Sequence, residues 1–305
     1  MTAGVAGADA PPAPPSRREP LFRRMTVVGV GLIGGSLGLA ARRAGLVEHV
    51  LGVSRSRQNR ETALRRGLVD EATEDLAGAL AETDLAVLAT PVAAIVGMLP
   101  EVARRIPPAA LVTDVGSVKA PIAAAADAAL PDGRFVGGHP IAGKEQSGPE
   151  VADPELFAGA PCILTPTART RREAVERIAA LWAGVGGAVV RLEAAWHDDL
   201  FASVSHLPHV AAFALMDAVL SMEQDGERIR FAGGGLRDFT RVAGSDPVMW
   251  RDIFLMNRAM VLKSLAEYRG ALDRLERAIR EGRGEELAAL LAQARKAREE
   301  SGHRS

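Results

Sequence analysis

Two stretches of this 305-residue chain carry residues that packing alone explains poorly. Gly137-Gly138-His139-Pro140-Ile141-Ala142-Gly143 sets a histidine among glycines and a proline. Histidine titrates near neutrality, so it can accept or donate a proton there. Gly233-Gly234-Gly235-Leu236-Arg237-Asp238-Phe239-Thr240-Arg241 sets two arginines four residues apart. On a helix Arg237 and Arg241 share a face, and a guanidinium fork matches a carboxylate. A solvated helix face is the plain alternative.

Other candidates surround these. Ser117, in Asp114-Val115-Gly116-Ser117-Val118-Lys119, follows an apolar run and precedes a helical one. It is either a helix N-cap or a residue at a strand's carboxyl end, where open α/β sheets bind ligands. Lys144 and Glu145 follow the histidine loop and meet either a polar substrate or water. Ser205-His206-Leu207-Pro208-His209 places two histidines three apart beside a helix-breaking proline. They lack a third and fourth metal ligand, so a substrate cleft or a structural role suits them better, and no metal is expected.

These residues need a frame, and the frame is a glycine turn. Thr26-Val27-Val28-Gly29-Val30-Gly31-Leu32-Ile33-Gly34-Gly35-Ser36 reads as a strand, a turn and a helix start. Gly29 permits the tight turn, Gly31 leaves room for a pyrophosphate, and Gly34 lets helix and strand pack closely. Leu32 and Ile33 open the helix whose N–H groups face the phosphates. After the next strand, Val50 to Val53, an acidic residue for a ribose 2′-hydroxyl is absent. Ser54 and Arg55 stand there, and guanidinium donors suit a 2′-phosphate, so NADP is favoured over NAD. Leu85 to Thr90, ending at Pro91, reads as a buried strand whose end, Thr90 and Pro91, borders the same site.

Further strand-like runs follow at Leu111–Asp114, 135–138, 162–165 and 188–192, with helical stretches between them. Alternation of this kind implies a Rossmann-type α/β domain with a parallel sheet. After Glu193 the patterns are helical: Ala194 to Ser221, Pro247 to Ile279 and Glu285 to Glu300. Val261, Leu265, Tyr268, Leu272, Leu275 and Ile279 step by four and three, a narrow helix-packing seam. That seam closes either within the chain or between two copies. The expected division is a disordered tail over 1–24, a dinucleotide-binding domain over 25–193 and an all-α domain over 194–305. Met25 is a second candidate start.

Composition bounds the partners. A net charge of −1 suggests no nucleic acid. A single cysteine, Cys162, excludes an intrachain disulfide and fits a reducing compartment. No continuous apolar run reaches the roughly 18 residues of a membrane span, and a cytoplasmic protein is expected.

Taken in order, GVGLIGGS, TDVGSVK, GGHPIAGKEQSG, SHLPH and GLRDFTRVAGSDPVMWRDIF resemble the prephenate dehydrogenase family, with its arogenate and cyclohexadienyl relatives. The resemblance runs from Thr26 to Ile279. It implies a nucleotide-binding domain, an all-helical dimerisation domain and an active site between them. It implies a homodimer that oxidatively decarboxylates prephenate or arogenate with NAD or NADP. By motif position, His139 assists loss of the 4-hydroxyl proton and Ser117 contacts the same region or the nicotinamide. Arg241 clamps a carboxylate, His209 and His206 line the cleft with His209 preferred, and Arg237 is a further basic residue. Trp250 and Arg251 support the fold or dimer.

Two other readings use the same scaffold. A β-hydroxyacid dehydrogenase would need a catalytic lysine in the helical domain, where only Lys263 lies before Ile279 and no recognisable motif surrounds it. A non-catalytic nucleotide sensor would not need a base and an anion clamp together.

Overall fold

The strand before the glycine turn forms as β1 (Phe22–Val28) in the computed structural model, which describes residues 19–144, 146–222 and 227–302. β1 therefore starts three residues before the expected domain start at 25. The reason is local: Phe22 is buried, and the Arg23 and Arg24 N–H groups donate to Asp84 Oδ2 at 2.9 and 3.1 Å. The tail expected over 1–24 falls mostly outside the described residues.

Seven strands follow: β2 (Val47–Val53), β3 (Glu71–Thr73), β4 (Leu85–Leu88), β5 (Leu111–Asp114), β6 (Phe135–Pro140), β7 (Pro161–Thr165) and β8 (Ala188–Arg191). They form one sheet ordered β3-β2-β1-β4-β5-β6-β7-β8. The first six are parallel neighbours in the doubly wound order. β4 and β5 are buried along their whole length, as strands covered on both faces must be.

The expectation of a parallel sheet fails at one place: β6 and β7 pair antiparallel, and β8 runs with β7. A parallel pair needs a helical crossover. Between β6 and β7 the described chain forms only a short 3₁₀ turn, Pro149–Val151. β3 was not foreseen because it is three residues long and two of them, Glu71 and Thr73, are polar.

Helices α1 (Leu32–Arg43), α2 (Arg57–Arg65), α3 (Leu76–Leu80), α4 (Val92–Arg105), α5 (Ala120–Ala129) and α6 (Arg172–Gly184) complete the first domain. One face of the sheet packs Met25, Val27 and Val50 against α1 and α6 through Leu37, Ile178, Leu181 and Trp182. The other packs Val28, Leu51 and Leu88 against α4 and α5 through Ile95, Leu99 and Ile122. Alternate β1 side chains thus serve opposite cores.

From Ala194 onward the described elements are helical: α7 (Ala194–Phe201), α8 (Leu207–Ser221), α9 (Glu227–Arg230), α10 (Gly234–Thr240), α11 (Pro247–Met256), α12 (Arg258–Arg280) and α13 (Gly284–Gly302). The run expected from Pro247 to Ile279 is broken at Asn257. α7 docks on α5, and α11 on α4. Trp250 and Ile253 of α11 join the α4–α5 core; each such buried side chain contributes roughly 1.5–3 kcal/mol. That docking holds the two domains around a cleft.

The seam on α12 is half closed. Val261 is buried, whereas Leu272 and Ile279 remain 45% and 65% exposed. Ala194–Ser221 is long and apolar enough by composition to cross a membrane, which run length alone did not register. It buries His197, Asp198 and His206 within the fold.

Candidate active site

The cleft lies at the carboxyl ends of β1, β4, β5 and β6. Gly29 sits at φ +104°, and a Cβ there would strike the Ala89 carbonyl; a Cβ on Gly34 would strike the Gly29 carbonyl. A Cβ on Gly31 would meet nothing within 4 Å, because it would project into open space. No side chain caps α1 at Gly31. Gly31, Leu32, Ile33, Thr90 and Pro91 line a cavity of about 470 Å³, together with Ser117 and His139. Thr90 Oγ1 is buried there without a hydrogen-bond partner. A bare helix N-terminus, a cradle that a side chain would fill and an orphaned hydroxyl all fit a dinucleotide.

Gly31→Val fills that cradle without touching the fold. Cofactor affinity should fall by about 100-fold, since a pyrophosphate can no longer approach the backbone, while the melting temperature stays close to wild type. Equilibrium titration of the cofactor checks this, and unchanged affinity would contradict it.

A second cavity of about 480 Å³ is lined by His209 and Arg241. Gly143, Lys144 and Ser245 line both cavities, so the two are contiguous. Arg241 leads out of α10 at the mouth and is exposed. His209 stacks on Trp250 with ring centroids 3.5 Å apart, and its Nδ1–H donates to the Ser205 carbonyl at 2.9 Å. Burial depresses its pKa, assisted by Arg241 and opposed by the Ser205 hydrogen bond.

His139 stands near the end of β6, partly buried. Its Nδ1 lies 2.8 Å from His197 Nε2, and His197 Nδ1 lies 2.8 Å from Asp198 Oδ1. Burial, with His197, Lys119 and His206 nearby, holds the His139 imidazolium pKa well below 6.5. Lys119 is fully buried beneath this loop, with Nζ bonded to Asp114 and to the Gly138 carbonyl. Asp114 in turn accepts the Gly138 N–H at 3.1 Å. The backbone before His139 is therefore pinned from below.

Ser117 lines the cofactor cavity with His139. It is not the N-cap of α5. That place belongs to Lys119, and Asp198 of α7 accepts the Lys119 and Ala120 N–H groups at 2.7 and 2.8 Å.

Two expected substrate-site residues, His206 and Arg237, line neither cavity. His206 is buried behind the cleft, where its Nδ1 accepts from Asn257 Nδ2 at 3.1 Å; burial pushes its pKa down to about 4. A π-helical turn, Ala202–His206, precedes α8 with Pro208 in its first turn, and aims His206 inward but His209 at the cleft. Arg237 is exposed on α10 and lines neither cavity. α10 ends at Thr240 and a tighter turn, Arg241–Gly244, begins, so the shared face of the two arginines does not persist. Lys144 does line the cleft, paired with Asp153 at 2.9 Å. Glu145 lies outside the described residues.

Ser54 and Arg55 lie just past β2, with Arg60 Nη1 donating to both their carbonyls at 2.6 and 3.1 Å. Neither lines either cavity. Trp250 is buried beside His209, and Arg251 is exposed and paired with Asp252. His197, Asp198 and Asn257 were not anticipated. The available signal was a histidine and two aspartates inside an otherwise apolar helical run.

Comparison with known proteins agrees with this architecture. The model of the prephenate dehydrogenase nucleotide-binding domain matches residues 37–191, and that of the prephenate dehydrogenase dimerization domain matches 193–293. Prephenate dehydrogenase of Bacillus subtilis is 36% identical over 86% of this chain and 71% of its own length. Cyclohexadienyl dehydrogenase of Zymomonas mobilis is 34% identical over 91% and 96%. The crystal structure of prephenate dehydrogenase from A. aeolicus, in complex with hydroxyphenyl propionate and NAD+, superposes with a TM-score of 0.87 at 36% identity. It covers 91% of this chain and 98% of that one. With both domain models matched in order across the glycine-turn domain and the helical one, this oxidoreductase chain belongs to the prephenate dehydrogenase family.

Proposed function

We propose that the chain converts prephenate to 4-hydroxyphenylpyruvate and carbon dioxide with a nicotinamide dinucleotide, in tyrosine biosynthesis in the cytoplasm. One observation carries the reading: a partly buried histidine, kept neutral by its surroundings beside a dinucleotide cradle, opens onto a pocket holding an arginine.

The chemistry follows from those groups. Arg241 holds a substrate carboxylate, which is the ring carboxylate in this reading, and orients the ring across the cleft. A bound nicotinamide ring supplies the hydride acceptor for ring C4. His139 takes the proton of the 4-hydroxyl as that oxygen becomes a carbonyl. The bond to the ring carboxylate then breaks, and its electrons restore the aromatic ring. The phenol oxygen regains a proton, which His139 is placed to return. Ser117, in the same cavity, contacts the hydroxyl or the nicotinamide. Arg241 should hold the carboxylate without over-stabilising it, so that binding favours the transition state.

Prephenate is the substrate in this reading because the similar Bacillus subtilis and A. aeolicus proteins are prephenate dehydrogenases. NADP is favoured by Ser54 and Arg55 and by the lack of an acid beside them. A homodimer is favoured by the unpartnered apolar surface of the helical domain, where Phe231, Leu255 and Leu262 are 85%, 63% and 53% exposed. Kinetics with each substrate and each cofactor test the assignment. Prephenate with NADP should give the highest kcat/KM, and a preference for arogenate or for NAD would remove the corresponding part. Light scattering should read two chains.

The pH profile carries its own prediction. A base works only when unprotonated, and depression of its pKa keeps it so to lower pH. The groups facing His139 are His197, Lys119 and His206, and each disfavours a further positive charge. The acid limb of kcat/KM should therefore fall below the ordinary histidine value of 6.5. A limb centred above that value would count against His139 as the base.

A further inference from the structure

We propose that Asp198 and His197 act as a positioning relay: they hold His139 as its Nδ1–H tautomer, so that the Nε2 lone pair faces the substrate hydroxyl. The inference rests on the reading of His139 as the base and extends it to two residues on α7.

Burial disfavours the charged form of His197, and with that ring neutral the donors and acceptors allow one assignment. Asp198 is surrounded by donors. Its Oδ1 accepts the Lys119 N–H at 2.7 Å, and its Oδ2 accepts the Ala120 N–H at 2.8 Å. They are the N-cap and first residue of α5, the positive end of that helix. The carboxylate therefore serves as an acceptor, and His197 Nδ1, 2.8 Å from Oδ1, must carry its hydrogen. A neutral imidazole bears one N–H, so His197 Nε2 is an acceptor. His139 Nδ1, 2.8 Å away, must then be the donor, and its own Nε2 is left bare. A free histidine side chain prefers the opposite tautomer, with hydrogen on Nε2, and that form cannot accept the hydroxyl proton.

The surroundings preserve the arrangement. His197 and Asp198 are almost wholly buried, at 0% and 3% exposure. The Phe201 ring stacks on His197 with centroids 4.5 Å apart and lies 4.9 Å from His139. Asn257 Nδ2 ties the Asp198 carbonyl to the fold at 2.8 Å. The His197 side of the shared N–H···N bond is closed to water, so the chain of bonds decides which nitrogen is bare. The relay also links the domains: His139 lies on β6 and its two partners on α7. When His139 takes the hydroxyl proton it becomes an imidazolium that donates from Nδ1 to His197, with Asp198 as the balancing negative charge. No proton need leave the relay before the product oxygen takes one back.

A pair of substitutions at His197 tests this. His197→Phe keeps an aromatic ring beside Phe201 but removes the acceptor. kcat should fall on the order of 100-fold or more, as when a catalytic histidine is left in the wrong tautomer, with KM and cofactor affinity within about threefold. His197→Gln offers a carbonyl oxygen as the acceptor and should recover most of the lost kcat. Nitrogen-15 spectra of histidine-labelled wild-type enzyme, assigned with His139→Asn, should show a protonated Nδ1 and a bare Nε2 at His139. This last readout needs no folded His197 variant. An Nε2–H tautomer in the wild type overturns the relay, as does a His197→Phe enzyme with near-normal kcat. If His139→Asn itself remains active, the reading of the base fails, which is a separate outcome.

Discussion

His139→Asn should lower kcat by roughly 1,000-fold, within the range contributed by a positioned general base, while cofactor affinity stays near wild type. The choice of asparagine matters. Its amide nitrogen takes about the place of Nδ1 and can still donate toward His197 Nε2, the contact that spans 2.8 Å in the native enzyme. What disappears is the bare Nε2 in the cavity shared with Gly31, Thr90 and Ser117. The backbone there is held by Asp114 and Lys119 through Gly138, not by the imidazole, so the fold should survive. The kinetic signature is a fall in kcat and kcat/KM together, because the group acts as the hydroxyl proton moves. The cofactor titration separates this from collapse of the site. A kcat within about threefold of wild type would remove His139 from the mechanism.

Arg241→Ala should act on the other side of the cleft and on the other constant. A charge-assisted hydrogen bond contributes about 1.5–3 kcal/mol, so losing a carboxylate clamp should lower kcat/KM by about 100-fold. Most of that should be a rise in KM, with kcat within about fivefold. Arg241 is exposed at the end of α10, outside both hydrophobic cores, so its truncation leaves the packing intact. Arg241→Lys should recover only part, because an ammonium keeps the charge but not the two-pronged geometry. Steady-state kinetics at saturating cofactor give the answer, and an unchanged KM would contradict the clamp. The separation of effects, kcat at His139 and KM at Arg241, follows from the roles proposed for their cavities: one would hold the reacting oxygen, the other a carboxylate bound before and during reaction.

Much of this site was legible in the chain because its signals are local. The glycine turn could be read from spacing, since each glycine answers to a constraint within a few residues. His139 stood out for its glycine and proline neighbours. The misses have a common physical cause: a side chain's partner was far away or its direction was set by an unforeseen turn. His197 meets a residue 58 positions earlier, and a helical pattern does not say what a histidine on it will face. His206 and His209 were both expected in the cleft, with His209 preferred, but the π turn sends His206 to Asn257 and only His209 to the cleft. Arg237 and Arg241 shared a face only on a helix that stops between them. The β6–β7 reversal was hidden because the strand pattern of β7 is the same in either direction; the missing crossover helix was the clue.

Product analysis of a single turnover tests the central claim most directly. The enzyme, in excess, is mixed with prephenate and NADP, and reduced nicotinamide, carbon dioxide and 4-hydroxyphenylpyruvate are quantified together. The mechanism predicts one of each for every prephenate consumed, appearing at the same rate, and none with His139→Asn on that timescale. Prephenate left intact, with neither NADP nor NAD reduced, would contradict it.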